Sequence, residues 1–239
     1  MVAFNPLNSV DREKRSFTLL DGFFGDLLLV DIGRTRILEY RKKRGVEAVG
    51  FVTINREVSF LRKLLNVAAS QENPVIESLP RFKGLLPSET NNARTGTIDA
   101  EDFAAILSRM KRRPAQRYLI ALYETAMRRD EPTKVTWDKI DLKAGLIRLK
   151  AEDVKEKHPR RTPISWELRQ VLEELQAEQR RFPNVGGYVF TRKNGRPVTS
   201  IRTAFERARH AAKLDRVIMH DLRRTTISRW TDLGSRVTL

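Results

Sequence analysis

Residues Ala121–Leu142 read ALYETAMRRDEPTKVTWDKIDL, and residues 220–225 read HDLRRT. In and before the first stretch, Leu119, Leu122 and Met127 recur at helical spacing, which predicts a helix over Arg117–Arg129. That helix runs into Arg128-Arg129-Asp130-Glu131 and then Pro132. A proline lacks a backbone donor and crowds the turn before it, so the placement of Arg128 and Glu131 depends on where the helix stops. In the second stretch His220 and Arg223 stand at i and i+3, on one helical face. Each stretch alone is a weak signal: charges at a helix end are commonly solvated, and H-x-x-R pairs arise by chance.

Working outward, the chain up to about Lys83 reads as helices: Lys14–Phe24, Asp31–Arg44 with cations before Gly45, and Asn55–Ala69 with an apolar stripe. Gly84–Gly96 is rich in helix breakers and marks a boundary. The expected organisation is a partial helical domain over 1–88, a linker over 89–98 and a second domain over 99–239. In the second domain Asp99 is placed to cap a helix. Leu146–Lys150 and Arg161–Ile164 read as strands around a polar turn, and Val189-Phe190 as a further short strand. Trp166–Arg180, Ile201–Ala212 behind Ser200, and His220 to about Gly234 read as helices. The class is mainly α with a small β-sheet, an α+β chain.

Lys and Arg total 46 against 30 Asp and Glu in 239 residues, a formal net charge of +16. Residues 1–95 hold 15 basic and 11 acidic side chains, the remainder 31 and 19, so the second part carries most of the positive field. Such an excess favours a polyanion, because each cation that neutralises a phosphate releases a counterion. No clean basic amphipathic helix points to a membrane surface. With no cysteine, disulfides, thiolate metal sites and cysteine nucleophiles are excluded. His158, His210 and His220 are the only histidines and lack metal-ligand spacing, so neither metal nor cofactor is expected. The start MVAFNP lacks the pattern of a signal peptide, and a cytoplasmic protein is the expectation.

Taken in order, TAMRRDE, WDKIDL, a strand pair around Lys155, the F-x-x-x-x-G-x-P of Phe190–Pro197, and HDLRRT resemble the catalytic domain of the phage integrase, or tyrosine recombinase, family. The resemblance covers about Asn92 to Leu239. More weakly, TINREVSFLRKLLNVAASQENP resembles the end of that family's helical core-binding domain. It implies attack of a tyrosine on a DNA phosphodiester, giving a 3′-phosphotyrosine and a free 5′-hydroxyl. It assigns Arg128 and Arg223 to the phosphate oxygens, whose charge grows in the transition state and suits two guanidinium forks. His220 is assigned to proton transfer or phosphate orientation, and Lys155, with Lys157 as competitor, to protonating the leaving oxygen. Glu131 is read as support. Double-stranded DNA is the implied partner, with self-association on it, as tetramers in complete family members. Arg129, Arg202, Arg207, Arg209 and Arg224 are candidate DNA contacts; the face bearing Arg202, Arg207, Arg209 and His210 suits a DNA backbone or plain solvent equally.

The sequence departs from the family pattern at three places. Ala126 stands where glycine is usual, which matters if the backbone there needs a positive φ. Pro132 stands where an aliphatic residue is usual. No tyrosine follows the H-x-x-R helix; Tyr118 and Tyr123 on the arginine helix read as packing residues, Tyr188 sits beside a strand and Tyr40 lies in the first domain. The expectation is a chain cut short before its nucleophile, unable to cleave alone, with Ile227, Trp230 and Leu233 left uncovered. The competing reading is a non-catalytic DNA-binding remnant or a regulator that competes with a complete recombinase.

Overall fold

The computed structural model describes residues 6–70, 74–87, 96–154, 157–181, 186–232 and 234. The chain divides into two compact units, Met1–Arg94 and Thr95–Leu239.

The first unit is helical: α1 (Pro6–Phe24), α2 (Arg34–Val46) and α3 (Phe51–Ala69). Leu20, Phe24, Ile37, Tyr40, Val58, Leu61 and Leu65 form its core, closed by Ile76 and Leu85 from the segment that follows. Among the described residues of this unit two polar side chains, Asn55 and Glu57, are buried. Glu57 on α3 accepts two hydrogen bonds from Arg44 at 2.9 and 2.7 Å and one from the Tyr40 hydroxyl at 2.8 Å. Burial opposes the Glu57 charge, but the Arg44 and Tyr40 hydrogen bonds outweigh it and hold the carboxyl below its ordinary range.

The second unit is built around a mostly buried helix. Asp99 caps α4 (Ala100–Arg109) by accepting from the Asp102 N–H at 2.7 Å. Then comes α5 (Arg113–Thr125), with Pro114 in the first turn, where no backbone donor is needed. Nine of its thirteen residues are buried, which fits a helix covered on nearly every side. A three-stranded antiparallel sheet of β1 (Ile140–Asp141), β2 (Leu146–Leu149) and β3 (Arg160–Pro163) follows, ordered β1-β2-β3. Leu146 faces Pro163 and Leu149 faces Arg160, so β2 and β3 form a hairpin whose turn begins at Lys150. Ser165 caps α6 (Trp166–Gln179), and α7 (Arg202–Ala211) and α8 (Met219–Asp232) complete the unit.

Three ties fix α5. Arg117, itself buried, donates to both Glu178 oxygens at 2.6 Å and to Glu174 at 3.1 Å, locking α5 to α6. Tyr123 stacks on Phe103 of α4 at 3.7 Å between ring centroids. On α8, Thr226 donates to the Tyr123 carbonyl, and Thr225 accepts from the Ile98 N–H at 2.8 Å.

Several expectations need correction. The arginine helix ends at Thr125 rather than Arg129, because Ala126 takes the left-handed conformation at φ 50°. No strand forms at Val189-Phe190; their neighbours Tyr188 and Thr191 instead make single bridges to Thr136 and Pro197. Ile227 and Trp230 are half-buried, and Leu233 lies outside the described residues.

Candidate functional site

The turn after α5 creates the site. With the helix already over, Pro132 costs nothing: it opens a short 3-10 turn, Pro132–Lys134, at a position that needs no donor. Between the two, the Glu131 N–H donates to the Arg128 carbonyl at 2.9 Å, and the Arg128 N–H donates back to the Glu131 carboxylate at 2.9 Å. This reciprocal pair holds the Arg128 backbone, while the Arg128 side chain stays 32% exposed and reaches Glu131 at 3.4 Å. The left-handed Ala126 aims its carbonyl at α8, where the buried Arg223 guanidinium donates to it. A guanidinium is a rigid fork, so this anchor fixes its plane.

The start of α8 is held by Asp221. Its carboxylate accepts from the Ile218 N–H at 2.9 Å and lies 3.5 Å from Arg224. An acidic residue in the first turn also complements the helix dipole. His220, one residue earlier, reaches solvent. Partial shielding, then the positive charges of Arg224, Arg223 and Arg128, outweigh Asp221 and hold its imidazole below its ordinary range. Arg224, Arg223 and Arg128 all lie near enough to His220 to disfavour its protonation.

Lys155 lies outside the described residues. The root of its turn is fixed by Asp153, whose carboxylate accepts from the Lys150 N–H at 3.0 Å and pairs with Lys139 at 2.7 Å. Lys157 is exposed, in the left-handed region at φ 60°. The remaining candidates divide. Arg129 is exposed and paired with Asp130 at 2.8 Å, and Arg202 with Glu206 at 2.8 Å, while Arg207 is exposed. Arg209 has a structural task, because its guanidinium donates to the carbonyls of Asp215 and Val217 behind α7.

Sequence reasoning missed Arg160. It lies on β3, and its guanidinium donates to Glu131. Strand alternation was the available signal: Thr162 is buried, so Arg160 shares its inward side while Arg161 is exposed. No group of three or more His, Asp or Glu side chains suited to a metal occurs among the described residues. No described helix is long and apolar enough to cross a membrane.

Residues 84–234 match the Phage integrase family. The chain belongs to that family. The shufflon-specific DNA recombinase of Escherichia coli is 26% identical over 220 residues, covering 88% of this chain and 52% of the relative. The chain thus spans about half the length of the curated relative it matches. Among solved structures, XerH recombinase bound to difH DNA aligns with a TM-score of 0.77 at 16% identity, covering 95% of this chain and 70% of that one. Lambda integrase bound to a core site gives 0.74 at 15%, covering 97% and 67%. The Tn1549 transposon integrase with transposon end DNA gives 0.71 at 15%, covering 97% and 84%. At these identities the structural likeness establishes the shared fold: a mostly helical integrase-family chain with a small antiparallel sheet.

Proposed function

We propose that this integrase-family chain binds double-stranded DNA and grips one backbone phosphate between Arg128 and Arg223, with His220 beside it. It supplies the phosphate-binding half of a tyrosine-type breaking and rejoining reaction. The observation that carries this reading is that Arg223 on α8 donates to the carbonyl of Ala126, two residues before Arg128 in the turn after α5. Ala126 accepts from one, and Glu131 holds the backbone of the other. Forked cations at fixed positions stabilise a phosphorane-like transition state, in which the equatorial oxygens gain charge. They do so without reorganising at the moment of reaction. The leaving oxygen would take its proton from a lysine of the β2–β3 turn, Lys155 first and Lys157 second. Neighbouring copies on the same DNA would complete the assembly.

The attacking tyrosine is not among this chain's own four. Tyr118 is buried, donates to the Arg129 carbonyl at 2.7 Å, and burial raises its pKa far above the ordinary phenol value. Tyr123 is stacked on Phe103 beneath Arg229. Tyr40 is buried against Glu57 in the first unit, and Tyr188 bridges to Thr136. The chain alone therefore binds without cutting.

The test is titration with a mixed-sequence duplex across a salt series. Affinity should fall steeply with salt, and Arg223→Ala should flatten the slope by about one counterion. Affinity indifferent to salt would overturn the reading. A covalent protein–DNA adduct formed by this chain alone would overturn the assignment of the nucleophile.

A further inference from the structure

Glu131 is 5% exposed and meets two cations. Its carboxylate takes the Arg128 N–H at 2.9 Å, lies 3.4 Å from the Arg128 guanidinium, and accepts from Arg160 on β3. These contacts pose a conflict. A buried carboxylate needs a cation, and breaking a buried pair by taking one partner away is strongly unfavourable. If Arg128 were its only counter-charge, giving the Arg128 guanidinium to a phosphate would strand Glu131. The phosphate contact would be offset by that loss.

Arg160 removes the conflict. Its side chain is 14% exposed, and Nε is buried without a hydrogen-bond partner. The group is thus committed through Nη2 to Glu131, at the cost of an unpaired donor. Arg161, next along the strand, faces solvent and makes the natural control.

We infer that Arg160 is a positioning residue. It keeps Glu131 neutralised, so that Glu131 can fix the Arg128 backbone while the Arg128 guanidinium engages a DNA phosphate. The inference rests on the reading of Arg128 as a phosphate ligand. It also ties the strand leaving the β2–β3 turn to the segment that carries Arg128, so both sides of the pocket share one carboxylate.

The experiment measures affinity of the full chain for a mixed-sequence duplex, with unfolding midpoints in parallel. The variants are Arg128→Ala, Arg160→Met, Arg161→Met and the double variant Arg128→Ala/Arg160→Met. Arg128→Ala and Arg160→Met should each weaken binding about tenfold, the size of one charge-assisted hydrogen bond. In the Arg128→Ala background, Arg160→Met should add nothing. Arg161→Met, with the same loss of charge, should cost less and should cost the same in both backgrounds. Equal weakening by Arg160→Met with and without Arg128 would overturn the inference and leave the phosphate reading standing, as would no weakening at all. No weakening by Arg128→Ala would overturn the phosphate reading itself, and the inference with it. Should Arg160→Met fail to fold, two variants carry the same comparison. Arg160→Lys keeps the charge, and Glu131→Gln/Arg160→Met removes the stranded carboxylate. Either must lose its effect when Arg128 is absent, or the inference fails.

Discussion

Replacing Thr225 by valine tests what holds α8, and with it His220 and Arg223, in place. The Thr225 side chain is buried, accepts from the Ile98 N–H at 2.8 Å and donates to the Asp221 carbonyl at 2.9 Å. Ile98 is 2% exposed, so no water can replace the lost acceptor. Valine keeps the shape and has nearly the helix propensity of threonine, which isolates the hydroxyl. A stranded buried amide costs about 1–3 kcal/mol, so about 2 kcal/mol is expected. In a domain of this size that lowers the midpoint by about 4–8 °C. All three tryptophans, Trp137, Trp166 and Trp230, lie in the second unit, so their fluorescence follows this unit alone. Thr225→Ser keeps the hydroxyl and loses one methyl, a cost of about 0.8 kcal/mol. A valine variant as stable as the parent, or more stable than the serine variant, would refute the reasoning.

Three further outcomes are expected. His220 titrates below its unfolded value, so the unfolded chain takes up the proton first; stability should fall as pH drops below about 6.5. Binding of duplex DNA should strengthen over the same range, and His220→Gln should remove both trends in urea titrations and DNA binding across pH. Asp99→Ala should destabilise the second unit by about 1 kcal/mol and Asp99→Asn by much less, read by tryptophan fluorescence in urea; equal losses would count against the cap. Glu57→Gln takes from the half-buried Arg44 its buried counter-charge, leaving only the exposed Glu47 to pair with it, and should cost the first unit about 2 kcal/mol, seen as faster amide exchange in α2 and α3. Because the Glu57 carboxyl is held low, its contribution should persist above about pH 4.3 and fade as pH falls through its lowered value.

What could be read in the sequence follows from how local each signal is. The Asp99 cap, the β2–β3 hairpin and the shared face of His220 and Arg223 depend on neighbours a few residues away, and the structure has all three. The end of α5 was misplaced because Met127 continues the apolar period and is buried, while alanine gives no sign of the left-handed turn one residue earlier. That turn also answers the question of Pro132, since a proline seven residues past a helix end interrupts nothing. Glu131 was visible as an acidic neighbour of Arg128, but its second cation was not. Arg160 and Arg161 are chemically identical, and alternation along β3 from the buried Thr162 sets which one turns inward. Arg209 was placed on a basic face because helical periodicity cannot show the loop carbonyls of Asp215 and Val217 arriving from behind.

The bonds between α8 and the start of the second unit also govern the order in which the molecule matures. Thr225 and Ile98 are 127 residues apart in the chain, and Arg223 and Ala126 are 97 apart. Contacts that distant form late, because the loop between them must close before any of their stabilisation is returned. During synthesis the first arginine leaves the ribosome long before its partner exists, and a nascent chain that has reached only the hairpin carries half a pocket. On the phosphate reading proposed above, binding at this site is therefore withheld until α8 has been made and has packed against the turn after α5, because a chain without α8 carries Arg128 but not Arg223.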